Sequence, residues 1–539
     1  MAAIATSVSE TGAGPSAVAA AAPPLTRADV LMLGTALAGF LLVNLAGQSV
    51  ASTLPDIQGG VGLTSDEGSW LTTVYSMASF AGVVCSTPLM RAFGLGRYTA
   101  AAALAFALAG LGCALASPLA LLLGLRAVQG FAAGGFGPGA FMATFAVMRG
   151  PRQPLGLSLL ALTLLLPAAW GPAVSGFLDE SLGWQAVFPL QGMAGGALAA
   201  ASILFIPRPP IALSTLKADW AALLLLAVAL AASLLLLGQG TRRYWLDSQI
   251  ITWSVAVAAG GWAGFLATLT RSPSPAIDVG LLSRRGFLVP ILLNLLFRAG
   301  FASTAYLVPQ FLVLIQGYRP LELSRLFLWT GVAQLIAFPL ALWLLRRTDG
   351  RLVAASGLLL FGAGVLLSAR STGLAAADQF QIALALAGAG QVLFLVPNLR
   401  AGGKVLTPAD APTASLAFNV TTLGGTSLGV ALATELVTER QKFHAGALAE
   451  SAAAFGAKLD RLDDLAALFA ARVGDDALAA GRAVATVAGV IRRESLVLSF
   501  NDGFLLVGML LAASAAGLLF LDRQPPPAAS TAPSPGASS

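Results

Sequence analysis

Charged residues are scarce in this sequence. Only 10% of the 539 residues are Asp, Glu, Lys or Arg, whereas 57% are hydrophobic, and a soluble domain carries about 25% charged residues. This composition excludes a soluble enzyme, a nucleic-acid-binding protein and a disordered chain. Histidine and cysteine are also rare: His444 is alone, and Cys85 and Cys113 both lie in apolar runs. We therefore expect no metal, no cofactor and no disulfide framework, and the composition is that of an integral membrane protein.

Long apolar runs occupy most of the chain. A helix needs about 20 apolar residues to cross the hydrocarbon core, whereas strands of a membrane barrel have about 10 residues of alternating polarity. Because the runs are continuous, we predict an all-α membrane protein. The fourteen predicted spans are 29–54, 68–90, 97–117, 119–147, 155–178, 185–206, 218–238, 249–270, 287–314, 321–345, 352–370, 377–399, 412–437 and 503–521.

The positions of Lys and Arg predict the orientation of these spans. With the N-terminus in the cytoplasm, cytoplasmic segments hold sixteen Lys and Arg residues and the short outer loops five, and positively charged loops resist translocation. Both termini are therefore predicted to be cytoplasmic. The net charge of +6 then reflects membrane topology, and no nucleic-acid partner is expected.

Two halves are visible in the order of the spans. Basic, glycine-containing turns follow the second helix of each half, at 88–98 and 342–351, and two six-helix halves around a midplane site are common in secondary transporters. Spans seven and eight form an insert, and span seven is apolar on almost every face, as expected of a helix surrounded by lipid. The predicted regions are a disordered tail (1–28), a six-helix bundle (29–206), linker helices (207–270), a second six-helix bundle (271–521) and a disordered tail (522–539).

One long hydrophilic segment, 438–502, separates the last two spans. Apolar residues recur in it at a spacing of three to four, which predicts amphipathic helices. It lies on the outer, periplasmic face in the predicted topology. A surface that docks a partner and a solvated cap over the outer mouth are both compatible with this pattern, and His444 at its start is expected to be exposed.

Arg126 lies inside the fourth span, in LLLGLRAVQGFAAGG. A charge at the centre of a bilayer costs about 2.5–3.5 kcal/mol on insertion scales, so we expect the side chain to face the interior and meet a partner. The alternative is that it reaches the headgroups at one end of the helix. Gly130 and the glycines after it allow neighbouring helices to approach closely.

The fifth span contains LPAAWGPAVSG, with Gly171, Pro172 and Gly176. Pro172 lacks an amide proton and its ring disturbs the preceding helical turn, while the glycines present no side chain. We expect this helix to bend and to pack tightly against a neighbour.

Together with these features, several segments make the chain resemble the major facilitator superfamily, and within it the fourteen-helix drug:proton antiporters of the EmrB/QacA type. The matching segments are TLPDIQGG (53–60), SWLTTVYSMA (69–78), RAVQGFAAGG (126–135), GPAVSG (171–176), GYRPLELS (317–324), FNVTTLGGTSLGVAL (418–432) and RESLVLSFNDGF (493–504). The resemblance implies the major facilitator fold, with two six-helix bundles and two inserted linker helices.

The resemblance also implies roles for residues at matching positions. Arg126 matches an arginine associated with proton handling, and Gly171, Pro172 and Gly176 match a motif associated with exchange rather than co-transport. The cytoplasmic turn that locks the inner gate is matched by Gly94 and Arg97. Departures from the family pattern are Ala46, Ala51, Thr87, Arg91, Ser175 and Thr422.

The most important departure is Ala46, because the family carries an aspartate there that binds a proton or a cationic drug. Its absence favours neutral, amphipathic or anionic aromatic substrates. Other acids must then carry the proton, and the candidates are Asp56, Asp66 and Glu67 at the outer ends of spans one and two. The alternative for these acids is that they are solvated charges or helix caps.

Further polar and aromatic residues are candidates for the substrate pathway. Arg298 in the ninth span is expected either to bind a substrate carboxylate or to pair with a backbone carbonyl. The aromatic candidates are alternatively anchors at the membrane interface. The full set is Asn44, Gln48, Tyr75, Arg298, Tyr306 and Gln310.

These features predict a secondary exporter that moves amphipathic or aromatic organic compounds out of a bacterial cell in exchange for protons. An importer of the same fold and a non-transporting membrane subunit are the alternatives, and Gly171 and Pro172 argue against the importer. The resemblance implies the inner membrane, with a periplasmic adaptor and an outer-membrane channel as partners.

Overall fold

The computed structural model describes residues 24–116, 118–216, 219–271, 277–407, 410–454, 457–473 and 475–520. These ranges are helical and contain no strand. Fourteen helical segments in them are long and apolar enough to cross a membrane, which confirms the prediction of an all-α fold with fourteen spans. The predicted tails lie outside the described residues, except that the first helix already begins at Arg27.

The helices of the described ranges are numbered in chain order. They are α1 Arg27–Ser52, α2 Leu54–Val61, α3 Ser65–Phe93, α4 Leu95–Leu115, α5 Leu119–Gly134, α6 Phe136–Val147, α7 Gln153–Leu182, α8 Val187–Phe205, α9 Trp220–Gln239, α10 Gln249–Arg271, α11 Val279–Ser283, α12 Arg285–Gly300, α13 Val308–Gln316, α14 Pro320–Leu344, α15 Gly350–Ser368, α16 Ala377–Lys404, α17 Ala411–Ala454, α18 Ala457–Val473 and α19 Asp476–Ser514.

Two spans are interrupted within the bundle. The fourth is divided into α5 and α6 at Gly135, and the ninth consists of α12, a π-helical turn at Ser303–Leu307 and α13. π-Helical turns inside α-helices occur often at functional sites. The apolar runs of the sequence predicted both spans as continuous, because hydropathy does not register local changes in helical pitch.

The same neighbour relations occur among the first six and the last six spans. In the first set, α1 packs against α7 and α8, α3 against α5, and α4 against α5 and α8. In the second, α12 packs against α17 and α19, α14 against α16, and α15 against α16 and α19. Helices α7 and α14 contact each other across the two sets.

The two sets also meet at the end of the bundle where α1 begins, called the inner end below. Phe141 of α6 lies against Phe418 of α17, with ring centroids 5.2 Å apart, and a methyl group on Gly403 of α16 would lie 2.3 Å from Leu157 of α7. A small, mostly apolar cavity lies among these contacts. It is lined by Phe141, Leu157, Phe287, Pro290, Ile291, Asn398, Leu399, Gly402, Gly403, Leu406, Ala414 and Phe418.

Helix α9 packs against protein on one side and exposes Leu224 and Val228 on the other, so it is not surrounded by lipid on every face as predicted. Leu223, Leu226 and Leu230 form a buried cluster with Phe80 and Val83 of α3, and Gln239 hydrogen-bonds with Ser69 and Thr73. The prediction was wrong because leucine side chains and lipid tails are equally apolar, so an all-apolar pattern does not distinguish the two surroundings.

The segment 438–502 is largely a continuation of two membrane helices. At about 1.5 Å per residue, the 44-residue α17 is about 66 Å long, more than twice the hydrocarbon thickness of about 30 Å. The outer part of α17, α18 and the outer part of α19 form what we call the outer extension, in which α18 packs against α19. The prediction of amphipathic helices agrees with this arrangement.

His444 is only partly exposed, which corrects the expectation for this residue. Its side chain is 16% exposed and its Nε2 lies 2.8 Å from Asp502 of α19. Arg440, one turn earlier on α17, also pairs with Asp502. The three side chains join α17 and α19 at the base of the outer extension.

Candidate functional site

Arg126 of α5 is fully buried. Its Nη1 donates a hydrogen bond to Oε1 of Gln129 (2.6 Å), and its Nε donates to the backbone carbonyl of Leu71 on α3 (3.3 Å). The guanidinium also stacks over the ring of Tyr75, 4.2 Å from the centroid. The side chain therefore faces the protein interior and not the headgroups.

A relay of amide side chains continues from Arg126 to α1. Gln129 donates from Nε2 to Oε1 of Gln191 on α8 (3.0 Å), and Gln191 donates to the backbone carbonyl of Ala46 (3.3 Å). Both glutamines are buried. Neither was a candidate in the sequence, where each is a polar residue within an apolar span and nothing marks it as a partner of Arg126.

The relay compensates the charge of Arg126 only with neutral groups. Among the ion pairs of the described residues, none includes Arg126, and its Nη2 is buried without a hydrogen-bond partner. A buried charge without a partner of opposite sign is costly. This guanidinium is therefore positioned by its surroundings but not neutralised by a carboxylate.

Gly130 lets α5 approach α3 directly beside this network. A methyl group at Gly130 would lie 2.2 Å from the backbone carbonyl oxygen of Tyr75, and one at Gly134 would lie 2.1 Å from that of Ser79. No side chain fits at either position, so these glycines fix the distance between the helices that carry Arg126 and Tyr75.

Helix α7 of the first set packs against α14 of the second set and carries the glycine–proline motif. It is one helix from Gln153 to Leu182 with Pro172 inside it, and both Gly171 and Gly176 are buried. A methyl group at Gly171 would lie 2.5 Å from Cβ of Gln48 on α1, and the indole of Trp170 contacts Gly331 of α14. The motif therefore places α7 in tight contact with a candidate pathway residue on one side and with the second set of helices on the other.

The turn at Gly94 and Arg97 contacts the segment that follows α8. Gly94 ends α3 with φ +82, a conformation that favours glycine, and a methyl group there would touch Pro209. Arg97 donates to the backbone carbonyls of Phe93 and Pro209. These described contacts all lie within the first set of helices and its exit segment at the inner end.

The three acids proposed for proton coupling lie in different surroundings. Glu67 accepts hydrogen bonds from the amide and hydroxyl of Thr64 and so caps α3, and Asp66 forms an exposed ion pair with Arg243 (2.8 Å). Asp56 of α2 is different, because its Oδ2 is buried and receives no hydrogen bond from a neighbouring N–H or hydroxyl. The carboxyl group of Asp179 on α7 lies close enough to that of Asp56 for the two charges to interact.

Arg298 of α12 is also buried, with 4% of its surface exposed. It packs over the ring of Phe301 at 4.7 Å from the centroid, and its Nε and Nη2 have no hydrogen-bond partner. One turn earlier, Asn294 donates to the hydroxyls of Thr421 and Thr422 on α17. Asn294 was not a candidate in the sequence.

The remaining pathway candidates are more dispersed. Asn44 donates to the carbonyl of Phe40 in its own helix, and the hydroxyl of Tyr75 donates to the carbonyl of Val43 on α1. Tyr306 lies in the π-helical turn beside Thr434, and Gln310 is half-buried on α13. Among the described residues, no three His, Cys, Asp or Glu side chains are grouped as metal ligands.

Comparison with known proteins gives a family match over most of the membrane domain. The model of the Major Facilitator Superfamily matches residues 36–430. The interval includes the Arg126 network, the glycine–proline motif and Arg298.

Three relatives have similar lengths and low identity. The colistin resistance protein EmrB of Acinetobacter baumannii is 25% identical over 489 residues, 90% of this chain and 94% of the relative. The multidrug export protein EmrB of Escherichia coli is 22% identical over 79% of this chain and 84% of the relative. The fatty acid resistance protein FarB of Neisseria gonorrhoeae is 23% identical over 93% of this chain and 98% of the relative.

A solved structure shares the fold. The crystal structure of the human organic anion transporter MFSD10 (TETRAN) superimposes with a TM-score of 0.53, covering 91% of this chain and all of that one, at 14% identity. At this identity the similarity concerns the fold alone.

Proposed function

The chain belongs to the major facilitator superfamily, and from this we propose that it is a secondary active exporter of amphipathic or aromatic toxic organic compounds, driven by proton antiport. It is a transport protein and not an enzyme, and it acts on small molecules. Relatives named for multidrug export and for resistance to colistin and to fatty acids support export as the direction of transport.

The observation that carries the proposal is the buried guanidinium of Arg126 and its relay to α1. A structural membrane anchor gains nothing from an arginine that is fully buried without a carboxylate, because the desolvation of the charge is not repaid. A transporter does gain, since a polar network inside a helix bundle can bind a solute or respond to the movement of a proton.

Contacts between the two sets of helices at the inner end support alternating access. Phe141 with Phe418 and Leu157 with Gly403 join the two sets at that end in this structure. In the proposed cycle, two six-helix bundles rock about α7 and α14, so that these contacts separate when the site opens to the cytoplasm. The turn at Gly94 and Arg97 stiffens the first bundle during this movement.

We assign the proton to the pair formed by Asp56 and Asp179. The two carboxyl groups are close enough to interact, and neighbouring carboxylates bind one proton between them because like charges disfavour full ionisation. The pair also joins α2, which follows α1, to the end of α7 that carries the exchange motif. Glu67 and Asp66 are engaged in a helix cap and an exposed ion pair, which makes them poorer proton sites.

The proposal places the protein in the bacterial inner membrane with both termini in the cytoplasm. The outer extension then projects into the periplasm, where it provides a surface for a periplasmic adaptor that connects to an outer-membrane channel. This arrangement accounts for helices α17 and α19 that are much longer than a membrane requires.

Transport into inverted membrane vesicles tests the proposal. Vesicles that contain the protein should accumulate an exported compound when an inside-acid proton gradient is imposed and release it when the gradient is collapsed. Accumulation that is unaffected by the collapse contradicts proton antiport. Uptake in the opposite orientation supports the importer, and the absence of transport for a broad panel of toxic organic compounds contradicts the exporter. A deletion strain screened against the same panel identifies the compounds to use.

A further inference from the structure

Arg298 makes a site of its own in the second set of helices. Its helix α12 begins at the inner end, and Arg298 lies about 20 Å along it, at about 1.5 Å per residue, so it is deep within the membrane. Gly425 of α17 lies directly against it, since a methyl group there would be 2.8 Å from Cβ of Arg298. The base of the Arg298 side chain is therefore packed against α17.

Part of the bonding capacity of this site is unused. Nε and Nη2 of Arg298 and Oδ1 of Asn294 are all buried without hydrogen-bond partners, and none of the ion pairs of the described residues includes Arg298. Buried polar groups are nearly always hydrogen-bonded, and a cluster of exceptions requires an explanation. Arg126 differs, because two of its three nitrogens donate to protein acceptors.

Aromatic rings lie beside the unused groups. Phe301 and Phe297 both lie under the guanidinium, and Phe297 packs in turn on Phe361 and Phe394. The π-helical turn at Ser303–Leu307 follows shortly after Arg298 in the same span. The unused polar groups of Arg298 therefore lie beside buried apolar rings and close to an irregular segment of the same span.

We propose that Arg298 and Asn294 bind the carboxylate end of an amphipathic organic acid, which makes an organic anion the substrate class of this exporter. The anionic oxygens accept from Nε and Nη2 of Arg298, an arrangement for which the guanidinium is well suited. A hydroxyl next to the carboxylate donates to Oδ1 of Asn294. The apolar body of the acid lies along the phenylalanine rings. This inference rests on the proposed function and adds the identity of the substrate to it.

Binding of matched eight-carbon ligands tests the site. The protein is purified into lipid nanodiscs, and affinities are measured for octanoate, 3-hydroxyoctanoate, octan-1-ol and octyltrimethylammonium. We expect the two acids to bind, the hydroxy acid more tightly. Arg298→Gln should weaken the binding of the acids about 10- to 100-fold, as expected for the loss of hydrogen bonds to a charged group, and leave that of octan-1-ol unchanged.

Two further variants separate recognition from folding. Asn294→Asp places a carboxylate one turn from Arg298, where it can pair with the guanidinium, so it should abolish binding of the acids without lowering the thermal stability. Arg325→Gln removes an exposed arginine of α14 and should bind as the wild type does. Unchanged affinity for octanoate in Arg298→Gln, or an equal loss for octan-1-ol, overturns the proposal. If chloride competes with octanoate as well as an organic acid does, the proposal is also overturned, because the site then holds an inorganic ion.

Export in cells distinguishes this inference from the proposed function. If Arg298→Gln loses resistance to octanoate but keeps resistance to a neutral compound, both stand. If the wild type exports neutral or cationic compounds under a proton gradient but neither binds nor exports the acids, only the substrate assignment fails. If it exports no compound in the vesicle assay, the proposed function fails.

Discussion

Gln191 donates a hydrogen bond to the backbone carbonyl of Ala46, across 3.3 Å. In the drug:proton antiporters that the chain resembles, this position of α1 carries an aspartate. Here the relay from Arg126 through Gln129 and Gln191 ends on a main-chain oxygen instead. The relay therefore contains no acid, and none of the ion pairs of the described residues includes Arg126.

Restoring the acid should change the charge preference of the transporter. Ala46 is buried, so Ala46→Asp places a carboxylate next to Gln191 and within the bundle that holds Arg126. We expect resistance to lipophilic cations to rise and resistance to octanoate to fall in cells that express this variant. Ala51→Asp, on an exposed position of the same helix, is the control. An equal shift in both variants shows that the effect is general surface charge.

The position of Arg126 was predictable from the sequence, but its partners were not. Burial follows from the cost of a charge in lipid, which depends only on the residue and its place in an apolar run. The choice of Gln129 and Gln191 depends on the rotation of α5 and α8 about their axes, and uncharged amides give no electrostatic signal. The sequence did not identify Asp179 as a neighbour of Asp56, because the two residues lie far apart in the chain.

The fold shows a similar division between what composition determines and what packing determines. The number of spans follows from the lengths of the apolar runs. The surroundings of α9 and the continuation of α17 and α19 beyond the membrane do not, because they depend on which helices are neighbours. Asp502 pairs with Arg440 and His444 only because two long helices leave the membrane side by side.

Removal of Arg126 should abolish transport without preventing membrane insertion. Arg126→Ala leaves Oε1 of Gln129 without its donor, and an unsatisfied buried polar group costs about 1–3 kcal/mol. We expect resistance to fall to that of the deletion strain while the amount of protein in the membrane, measured by immunoblotting, stays near that of the wild type. Wild-type efflux in this variant removes Arg126 from the mechanism.

Two glycines of α5 provide a test of helix packing at the network. A methyl group at Gly130 would lie 2.2 Å from the carbonyl oxygen of Tyr75, whereas one at Gly124 has nothing within 4 Å. Gly130→Ala should therefore separate α5 from α3, at a cost of about 1–3 kcal/mol for overpacking, and lower both thermal stability and export. Gly124→Ala should behave as the wild type in both measurements, and equal losses contradict the role of Gly130.

Gly171 tests the contact between α7 and α1. A methyl group there would lie 2.5 Å from Cβ of Gln48, while one at Gly196 of α8 meets open space. Gly171→Ala should reduce proton-driven export strongly, because it displaces the helix that packs against both α1 and α14. Gly196→Ala is the matched control. Fluorescence of a pH-sensitive dye in vesicles reports whether the variant also leaks protons, and unchanged coupling would reduce the motif to a packing element.

Amide substitutions at the acid pair separate proton coupling from substrate transport. Asp179→Asn replaces one carboxyl group of the proposed pair by an amide, which has the shape of a protonated carboxyl group and does not titrate. Export driven by a pH gradient should therefore be lost, whereas exchange of labelled for unlabelled substrate, which needs no net proton movement, should continue. Asp56→Asn should behave in the same way if, as proposed, the two carboxyl groups share one proton. Glu180→Gln, which changes the exposed acid next to Asp179, should keep both activities. If Asp179→Asn retains gradient-driven export, the proton is bound elsewhere, and if Glu180→Gln loses it equally, the effect comes from the charge of the outer mouth and not from the pair.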